Sequence, residues 1–337
     1  MNFLKLITTF VAFFILAIAT GQKRLPASAQ KIYQNEFTLI TENDNYTLQG
    51  RDGYYTNGIY LKLSHAVPIQ RRKWFKNKAN IKKVINGYEL GQAIYNPVSY
   101  NRLVPEFQDR PFAGYLKGTF DQHIFYSNNS ILNWGVTLGT IGPNSAGESV
   151  QRWYHRVIGI YDVAGWPYQV KNELSLNMSA AYYQSLLKTT SQQKRLNFDG
   201  FVKINLGNAF TNLSVGSTVK FGLVEHPWNS GYLRARISPV ASDGPVFDHE
   251  LYLFYEPCVI FQAYNAVLQG GLFLSNKGVL TVPLKPVVIT QRLGLCYAKN
   301  RFTLAAIYVN RTREATTQLR KENYCSLQIG YQFGRVK

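Results

Sequence analysis

The most constraining feature of this sequence is a repeated alternation of apolar with polar or small residues. In residues 59–64, Ile and Leu alternate with Tyr, Lys and Ser, and in 132–139 large apolar residues alternate with Asn, Gly and Thr. A period of two places the two kinds of side chain on opposite faces of a β-strand. After the N-terminus, no run approaches the roughly 20 apolar residues that a membrane-spanning helix needs. The pattern predicts a β protein, either a soluble sandwich or a membrane barrel.

The aromatic content favours the membrane barrel. The chain has 23 Tyr and 20 Phe, and barrels in the outer membrane carry such residues in girdles at both interfaces. About twelve strands are expected, an even number that suits a closed antiparallel barrel without an unpaired edge in lipid. The strands are predicted at 34–42, 55–66, 84–95, 112–126, 131–141, 171–186, 195–207, 211–223, 249–263, 286–298, 301–312 and 322–333. We therefore predict an all-β fold, an antiparallel transmembrane β-barrel of about twelve strands with a short helix in a rim loop.

The first residues have the pattern of a signal peptide. Lys5 precedes an apolar core over residues 10–19, and small residues at 17–19 and 27–29 provide two cleavage sites. We predict a signal peptide within residues 1–29, cleaved near 19–29, followed by a single barrel domain over 30–337. The alternative is an uncleaved membrane anchor.

The charge of the chain predicts an anionic partner. Its formal net charge is +18, from 37 Lys and Arg against 19 Asp and Glu. Nucleic acid is disfavoured because the chain is predicted to be exported and has no nucleic-acid recognition motif. A phosphorylated glycolipid is the better candidate, and the alternative is a basic surface without a specific partner. The three widely spaced cysteines, Cys258, Cys296 and Cys325, are predicted to be thiols, although one disulfide between strands stays open.

Polar segments are predicted to gather at one end of the barrel. Connections in an up-and-down barrel alternate between its two ends, so the links after the first, third and fifth strands share an end. These links are 43–54, 96–111 and 142–170, and they contain most of the chemically useful residues, whereas the tight turn at 127–130 lies at the other end. If both chain termini are periplasmic, the polar end faces the cell exterior.

One convincing helix is predicted between the fifth and sixth strands. Asn144 or Ser145 can cap it, and Glu148 near its N-terminus interacts favourably with the helix dipole. Gln151 and His155 share a face at a spacing of i, i+4. A separate apolar stripe consists of Val150, Trp153, Tyr154 and Val157. We expect the helix to lie against the barrel wall and to direct His155 at the rim.

His155 is the best candidate for a general base, because imidazole exchanges a proton near neutral pH. A lone histidine is often structural, which is the alternative. Asn43 and Asp44 offer oxygen ligands for a hard cation or could orient a base, but the same pair is also a good turn sequence. Thr56 would hold substrate or water, or else end a solvated strand.

Two arginines are further candidate binding residues, and several catalytic motifs are absent from the sequence. Arg102 and Arg110 could bind phosphate through two hydrogen bonds, or neutralise nearby acidic residues. The chain has no G-x-S-x-G elbow, H-E-x-x-H motif or dinucleotide fingerprint. Direct attack by water activated at His155 is therefore the most economical mechanism for a hydrolase.

The order and spacing of these segments closely resemble the lipid A 3′-O-deacylase family of Gram-negative outer-membrane proteins. The resemblance covers roughly residues 34–333 and is densest over 36–175. The matching segments are Glu42-Asn43-Asp44, Tyr54-Tyr55-Thr56-Asn57-Gly58, Asp109-Arg110-Pro111-Phe112-Ala113-Gly114, Gly142-Pro143, Gly147-Glu148, Val150-Gln151, His155 and Gly165-Trp166.

The resemblance implies a function and roles for the candidate residues. It implies a twelve-stranded barrel in the outer membrane that hydrolyses the 3′-linked acyloxyacyl ester of lipid A in lipopolysaccharide and depends on Ca²⁺. His155 would activate water, and Asn43 and Asp44 would act through calcium, with Asp44 as a metal ligand, and through oxyanion stabilisation. Thr56 matches the family's hydroxyl residue on the second strand. Gln151 is expected to contact substrate beside His155.

One departure from the family concerns a lysine in the loop after the third strand. Residues 97–102 contain no lysine, and Arg102 is the nearest substitute. Arginine keeps the charge but differs from lysine in reach and geometry. An inactive barrel of the same fold and a phospholipase-type esterase in the outer membrane are therefore the alternatives, with a diffusion pore the weakest of all. The oligomeric state is open.

Overall fold

The fold is a closed antiparallel barrel of twelve strands, in which each strand pairs with its neighbours in sequence and β1 pairs with β12. The computed structural model describes residues 23–25, 31–48, 53–69, 80–98, 104–159, 163–187, 194–240 and 244–336. The strands are β1 Tyr33–Asn43, β2 Tyr54–Ala66, β3 Ile81–Asn96, β4 Ala113–Tyr126, β5 Ser130–Ile141, β6 Glu173–Ser185, β7 Lys194–Gly207, β8 Phe210–Val224, β9 His249–Asn265, β10 Val287–Lys299, β11 Phe302–Arg311 and β12 Glu322–Arg335. The predicted fold class is confirmed, and every predicted strand boundary lies within three residues of the observed one.

The barrel wall has an apolar outer face and a polar inner face, as the alternation predicts. Ile59, Leu61 and Leu63 of β2 are exposed, whereas Lys62 and Ser64 between them are buried in the lumen. Trp134 and Leu138 of β5 are likewise exposed. An apolar exterior is the arrangement that lipid requires, since a barrel satisfies its backbone groups within the wall.

Among the residues that the structure describes, two α-helices accompany the strands: α1, Gly147–Ile158, and the short α2, Ala266–Gln269. None of the helices in the described part of the chain has the length and apolar character needed to cross a membrane. The connections at the two ends of the barrel follow the predicted alternation. We call the end that carries α1, the 44–53 and 97–112 connections and α2 the helix rim. We call the end that carries residues 127–129, the 225–248 connection and both termini of the barrel the terminal rim.

Protein fills the lumen from both rims. The 225–248 segment folds inward from the terminal rim, where Ala235 O accepts a hydrogen bond from Lys83 Nζ (2.6 Å) and Arg236 donates to Ala298 O (3.1 Å). Burial raises the pKa of Glu225 in this segment to about 7, although the Phe247 N–H donates to it. From the helix rim, α2 enters with Val267 and Leu268 fully buried. A lumen occupied in this way argues against a diffusion pore.

The three cysteines are free thiols, as predicted, with Cys258 and Cys296 buried. At the N-terminal end, Leu25 N donates to Val246 O (3.0 Å), so residues 23–25 pair with the end of the 225–248 segment. Residues 1–22 and 26–30 lie outside the described part of the chain, and the signal peptide stays a prediction.

Candidate functional site

Helix α1 lies on the outer face of the barrel wall at the helix rim. Tyr88 and Leu90 of β3 face outward, and Gln92 and Ile94 continue the same row toward the rim. Gln92 Nε2 donates to Ser145 O (2.6 Å), just before α1. Ile94 is buried in an apolar cluster that this connection completes, with Phe112, Val163, Trp166 and the partly buried Val150. The helix therefore covers part of the surface that elsewhere faces lipid.

Two glycines allow the start of α1 to touch the wall. A Cβ on Gly114 of β4 would lie 2.0 Å from Ser145 Oγ and 3.2 Å from Gly147 Cα, and a Cβ on Gly147 would lie 3.0 Å from Gly114 Cα. Neither position has room for a side chain while α1 keeps its place. These two glycines belong to the segments that carry the family resemblance, and their contact gives a structural reason for both.

Replacing Gly114 with alanine is expected to unseat α1 while the barrel stays folded. Overpacking of this kind costs about 1–3 kcal/mol, which raises the population of an open helix about tenfold or more. The measurement is the rate of trypsin cleavage at Arg152 and Arg156. Gly118→Ala is the matched control, since the nearest atom to its Cβ is Glu89 O at 4.0 Å. Equal cleavage rates for the two variants would contradict the proposed role of this contact.

The N-terminus of α1 differs from the prediction. The N-cap residue is Ala146, with a left-handed backbone (φ 57°, ψ 18°) and no side-chain cap, so the cap predicted at Asn144 or Ser145 is wrong. A short 3₁₀ turn at Pro143–Ser145 precedes the helix and displaces both residues from the cap position. Ser145 Oγ instead donates to Gly142 O (2.6 Å) and accepts from Gly147 N (3.3 Å).

The buried face of α1 is polar and its outer face is apolar. Gln151 and His155 are only 2% and 4% exposed, whereas Trp153 and Val157 are 61% and 64% exposed. This is the reverse of a helix on a soluble protein, whose apolar stripe faces the core. The reason is the position of α1 outside a lipid-facing wall, where its outer side meets the membrane interface. His155 therefore lies between the helix and the wall, against which the sequence predicted that the helix would lie.

Gln151 is held by one end of its amide only. Its Oε1 accepts a hydrogen bond from Trp166 Nε1 (2.9 Å), and the Trp166 ring, fully buried, packs on Phe112 with centroids 5.3 Å apart. Gln151 Nε2 is buried and has no hydrogen-bond partner among the described residues. A buried polar group of this kind is costly unless something binds it, so Nε2 is an available donor one helical turn from His155.

Asn43, Asp44 and Thr56 are buried at the same rim. Asn43 continues the outward row of β1, and its register partner Asn57 of β2 is in turn paired with Ile94 beneath the α1 connection. Asn43 is therefore two strands away from Ile94, the position that the α1 connection covers. Adjacent strands in a sheet lie about 4.8 Å apart. Thr56 occupies a bulge in β2, where the register with β3 shifts. Two side-chain oxygens order the rim loop: Asn43 Oδ1 accepts from Asn45 N (2.8 Å), and Asp44 Oδ2 accepts from Gly53 N (2.7 Å).

The structure thus brings His155, Gln151, Asn43, Asp44 and Thr56 to one rim as buried polar residues. Their convergence at this rim was predicted by the alternation of the strands. Their catalytic and binding roles stay predictions, as does the role of Arg102, which lies outside the described residues.

Arg110 occupies a different environment. It is fully buried, its guanidinium lies 4.8 Å from the ring centroid of the inward-facing Tyr95, and Nη2 donates to Val267 O of α2 (3.4 Å). These contacts place it under the loops that close the lumen, away from the outer face on which α1 lies. This geometry is that of a residue that holds α2 in place rather than of a substrate ligand. The substrate-binding role of Arg110 stays a prediction.

Asp109 joins three rim connections, and the sequence alone did not reveal it. Its Oδ2 accepts from Tyr54 Oη (2.6 Å) and its Oδ1 from Val98 N (2.9 Å). Its carbonyl oxygen accepts from Thr317 Oγ1 (2.8 Å). The segment that resembles the family at residues 109–114 therefore includes a structural fastening of the rim, which the spacing of residues in the chain could not show.

The described residues alone do not complete a calcium site. The oxygens of Asn43 and Asp44 named above already accept backbone N–H groups, and the small cavity beside Asp44 is also lined by Arg320 and Lys321. Within the described ranges, no three His, Cys, Asp or Glu side chains are grouped so as to hold a metal ion, whereas Ca²⁺ takes six to eight oxygen ligands. Calcium dependence rests on the resemblance alone.

Comparison with known proteins identifies a family and a fold. The family model described as "Outer membrane protein LpxR" matches residues 10–333. The structure of "LpxR from Salmonella typhimurium" is 21% identical, with a TM-score of 0.71 over 88% of this chain and 100% of that chain. The translocator domain of autotransporter NalP from Neisseria meningitidis reaches a TM-score of only 0.42 at 9% identity, over 97% of this chain and 96% of that chain. No curated protein sequence matches at a significant level.

Proposed function

Because the chain belongs to the family of outer membrane protein LpxR, the lipid A 3′-O-deacylase family, we propose that it removes a 3′-linked acyloxyacyl chain from lipid A by hydrolysis. The observation that carries this proposal is the polar face of α1, buried between the helix and a lipid-facing wall with His155 and Gln151 on it. A hydrolase acting on a membrane lipid needs polar catalytic groups that an acyl ester can reach without leaving the bilayer.

The chemistry assigned to these residues is general-base hydrolysis. His155 takes a proton from water, and the water oxygen attacks the ester carbonyl carbon. The amide of Gln151 donates to the oxygen on which negative charge develops. The tetrahedral intermediate then collapses, the sugar 3′ oxygen leaves and receives the proton from His155, and a free carboxylic acid is released. Calcium, which the family resemblance implies, would be held near Asp44 and Asn43 and would supply positive charge there.

The outer face of α1 suits the lateral entry of lipid A from the outer leaflet. Trp153, Val157 and Ile158 are exposed together at the end of the lipid-facing wall, and a helix with such a face binds in the membrane interface. We propose that the helix rim faces the cell exterior, where lipopolysaccharide is found, and that the basic chain attracts its phosphates. Lateral entry would bring the ester to His155 and leave the phosphorylated sugar in water.

Changing Trp153 and Val157 together to serine is expected to lower lipid A deacylation in membranes at least about tenfold, mainly through KM. Each apolar side chain withdrawn from lipid forfeits about 1.5–3 kcal/mol of burial, while the groups on the opposite face of α1 are untouched. Leu319→Ser is the control, an equally exposed apolar side chain of the same rim on another connection. An unchanged KM would contradict the proposed lateral entry of lipid A past α1, but it would not contradict the proposed hydrolysis.

The test of the activity is mass spectrometry of lipid A and phospholipids from an outer membrane that carries the protein, beside one that lacks it. Loss of an acyloxyacyl mass from lipid A alone would support the proposal. Loss from phospholipid alone would favour the phospholipase-type esterase, and no loss from either, with the barrel folded, would favour an inactive relative. Repeating the assay with a calcium chelator tests the expected cation dependence.

A further inference from the structure

A second polar site lies inside the lumen, away from α1. A cavity of about 250 Å³ is lined by inward-facing residues of the strands β4 to β10 and β12 and by the inserted 225–248 segment. Asn129, Ser185 and Pro227 are part of its lining, and all three lie at or next to connections of the terminal rim. The cavity therefore belongs to the opposite end of the barrel from His155.

The charges around this cavity do not balance. Its charged lining consists of Lys203, Lys220, Arg234, Arg292, Asp199 and Glu256, and the lining also includes His123. Lys220 pairs with Asp199 (2.9 Å) and Arg292 pairs with Glu256 (2.8 Å). Lys203 Nζ shares the same Glu256 at 3.8 Å and lies 4.2 Å from the ring centroid of Phe201, and Arg234 forms no ion pair with a described residue. The lining thus carries two more cations than carboxylates.

Arg234 is held in place by its backbone and its neighbours in the segment. Its φ of 57° lies in the left-handed region, which residues other than glycine seldom adopt. The turn that carries it is fixed through two preceding residues, since Gly231 N donates to Glu250 Oε2 (2.8 Å) and Tyr232 Oη accepts from Arg292 (2.8 Å). Arg234 Nε is buried and has no hydrogen-bond partner among the described residues. Such strained positions often occur at ligand sites.

The surplus of charge specifies the kind of ligand. A dianion would balance the surplus of two positive charges in the lining, and it would give the buried Nε of Arg234 the hydrogen-bond acceptor that it lacks among the described residues. A guanidinium matches the oxygens of a phosphate in two parallel hydrogen bonds, and an ammonium adds a compact charge. We propose that this lumenal cavity binds a phosphate monoester dianion that enters from the terminal rim, independently of lipid A hydrolysis at the helix rim.

The proposal is tested on the full folded protein in zwitterionic detergent by thermal unfolding. Glycerol phosphate added at constant ionic strength is expected to raise the Tm in a saturable way, as for a ligand that binds only the folded state. Arg234→Gln and Lys203→Met should each abolish the saturable shift. Arg335→Gln, which removes an exposed arginine at the same rim, should keep it. If Arg234→Gln fails to fold, the Lys203 variant carries the test.

A second arm separates the two sources of the phosphate. The protein in nanodiscs of phosphatidylcholine is compared with the protein in nanodiscs that also contain phosphatidic acid, a lipid that bears a phosphate monoester. A saturable shift with glycerol phosphate supports a soluble ligand, and a shift with phosphatidic acid alone supports a lipid headgroup. No saturable shift in either arm, or a shift that persists in both cavity variants, would overturn the proposal.

Discussion

Replacing His155 with alanine is expected to abolish lipid A deacylation, with a loss of about 10²–10⁴-fold in kcat. The imidazole is the titratable group on the buried face of α1, and alanine can hold no proton there. The substitution should leave the barrel intact, because α1 lies outside the ladder of strands and alanine has the highest helix propensity. The measurement is the lipid A mass spectrum of membranes with equal amounts of folded protein.

His65→Ala provides the control for this substitution. His65 lies near the terminal rim and contacts Asn35 Oδ1 through its ring (2.8 Å), far along β2 from the polar residues of the helix rim. The His65→Ala substitution removes the same kind of side chain from the same barrel. Deacylation should persist, because His65 is far from the helix rim. Full activity of the His155 variant would refute the general-base role, whereas loss of activity in both variants would point to general damage to the barrel.

The wall was predictable because lipid imposes one rule on every strand. Residues 59–64 and 132–139 alternate since one face must be apolar and the other must fill a polar lumen, and that rule yields both the strands and the end at which each connection lies. The convergence of Asn43, Thr56 and His155 at one rim follows from the parity of the connections alone.

The parts that were not predictable depend on contacts between distant segments. Alternation says nothing about the inserted 225–248 segment or α2, because neither forms part of the wall. The closeness of Gly114 and Gly147 arises from a helix packed on a strand, which no local pattern encodes. The predicted N-cap of α1 was wrong because Asn144 and Ser145, which have the side chains of N-cap residues, belong to a 3₁₀ turn at Pro143–Ser145.

The polar helix face also shows why the amphipathic pattern needed the structure. The separation of Gln151 and His155 from Trp153 and Val157 was visible in the sequence, but the direction of each face was not. A soluble neighbour would have buried the apolar side. Lipid around the barrel instead favours an exposed apolar face, so the polar face of α1 with His155 lies against the barrel wall.

Replacing Gln151 with leucine is expected to lower kcat for lipid A about 10²–10³-fold with a much smaller change in KM. Loss of one preorganised donor to a developing oxyanion has an effect of this size. The Nε2 group lacks a hydrogen-bond partner among the described residues, so an oxyanion would satisfy a donor that is otherwise buried at a cost. Leucine has a similar volume and keeps the helix.

Trp166→Phe separates a donor role of Gln151 from simple packing. It removes the Nε1–H that fixes Gln151 Oε1 at 2.9 Å while it keeps an aromatic ring against Phe112. A donor role predicts an intermediate loss of kcat in this variant, since the amide is still present but less well oriented. Gln151→Glu should resemble the leucine variant, because a carboxylate accepts hydrogen bonds and cannot donate to the oxyanion. If the leucine variant instead raised KM and kept kcat, Gln151 would bind the substrate equally in its ground and transition states, and the oxyanion would need another donor.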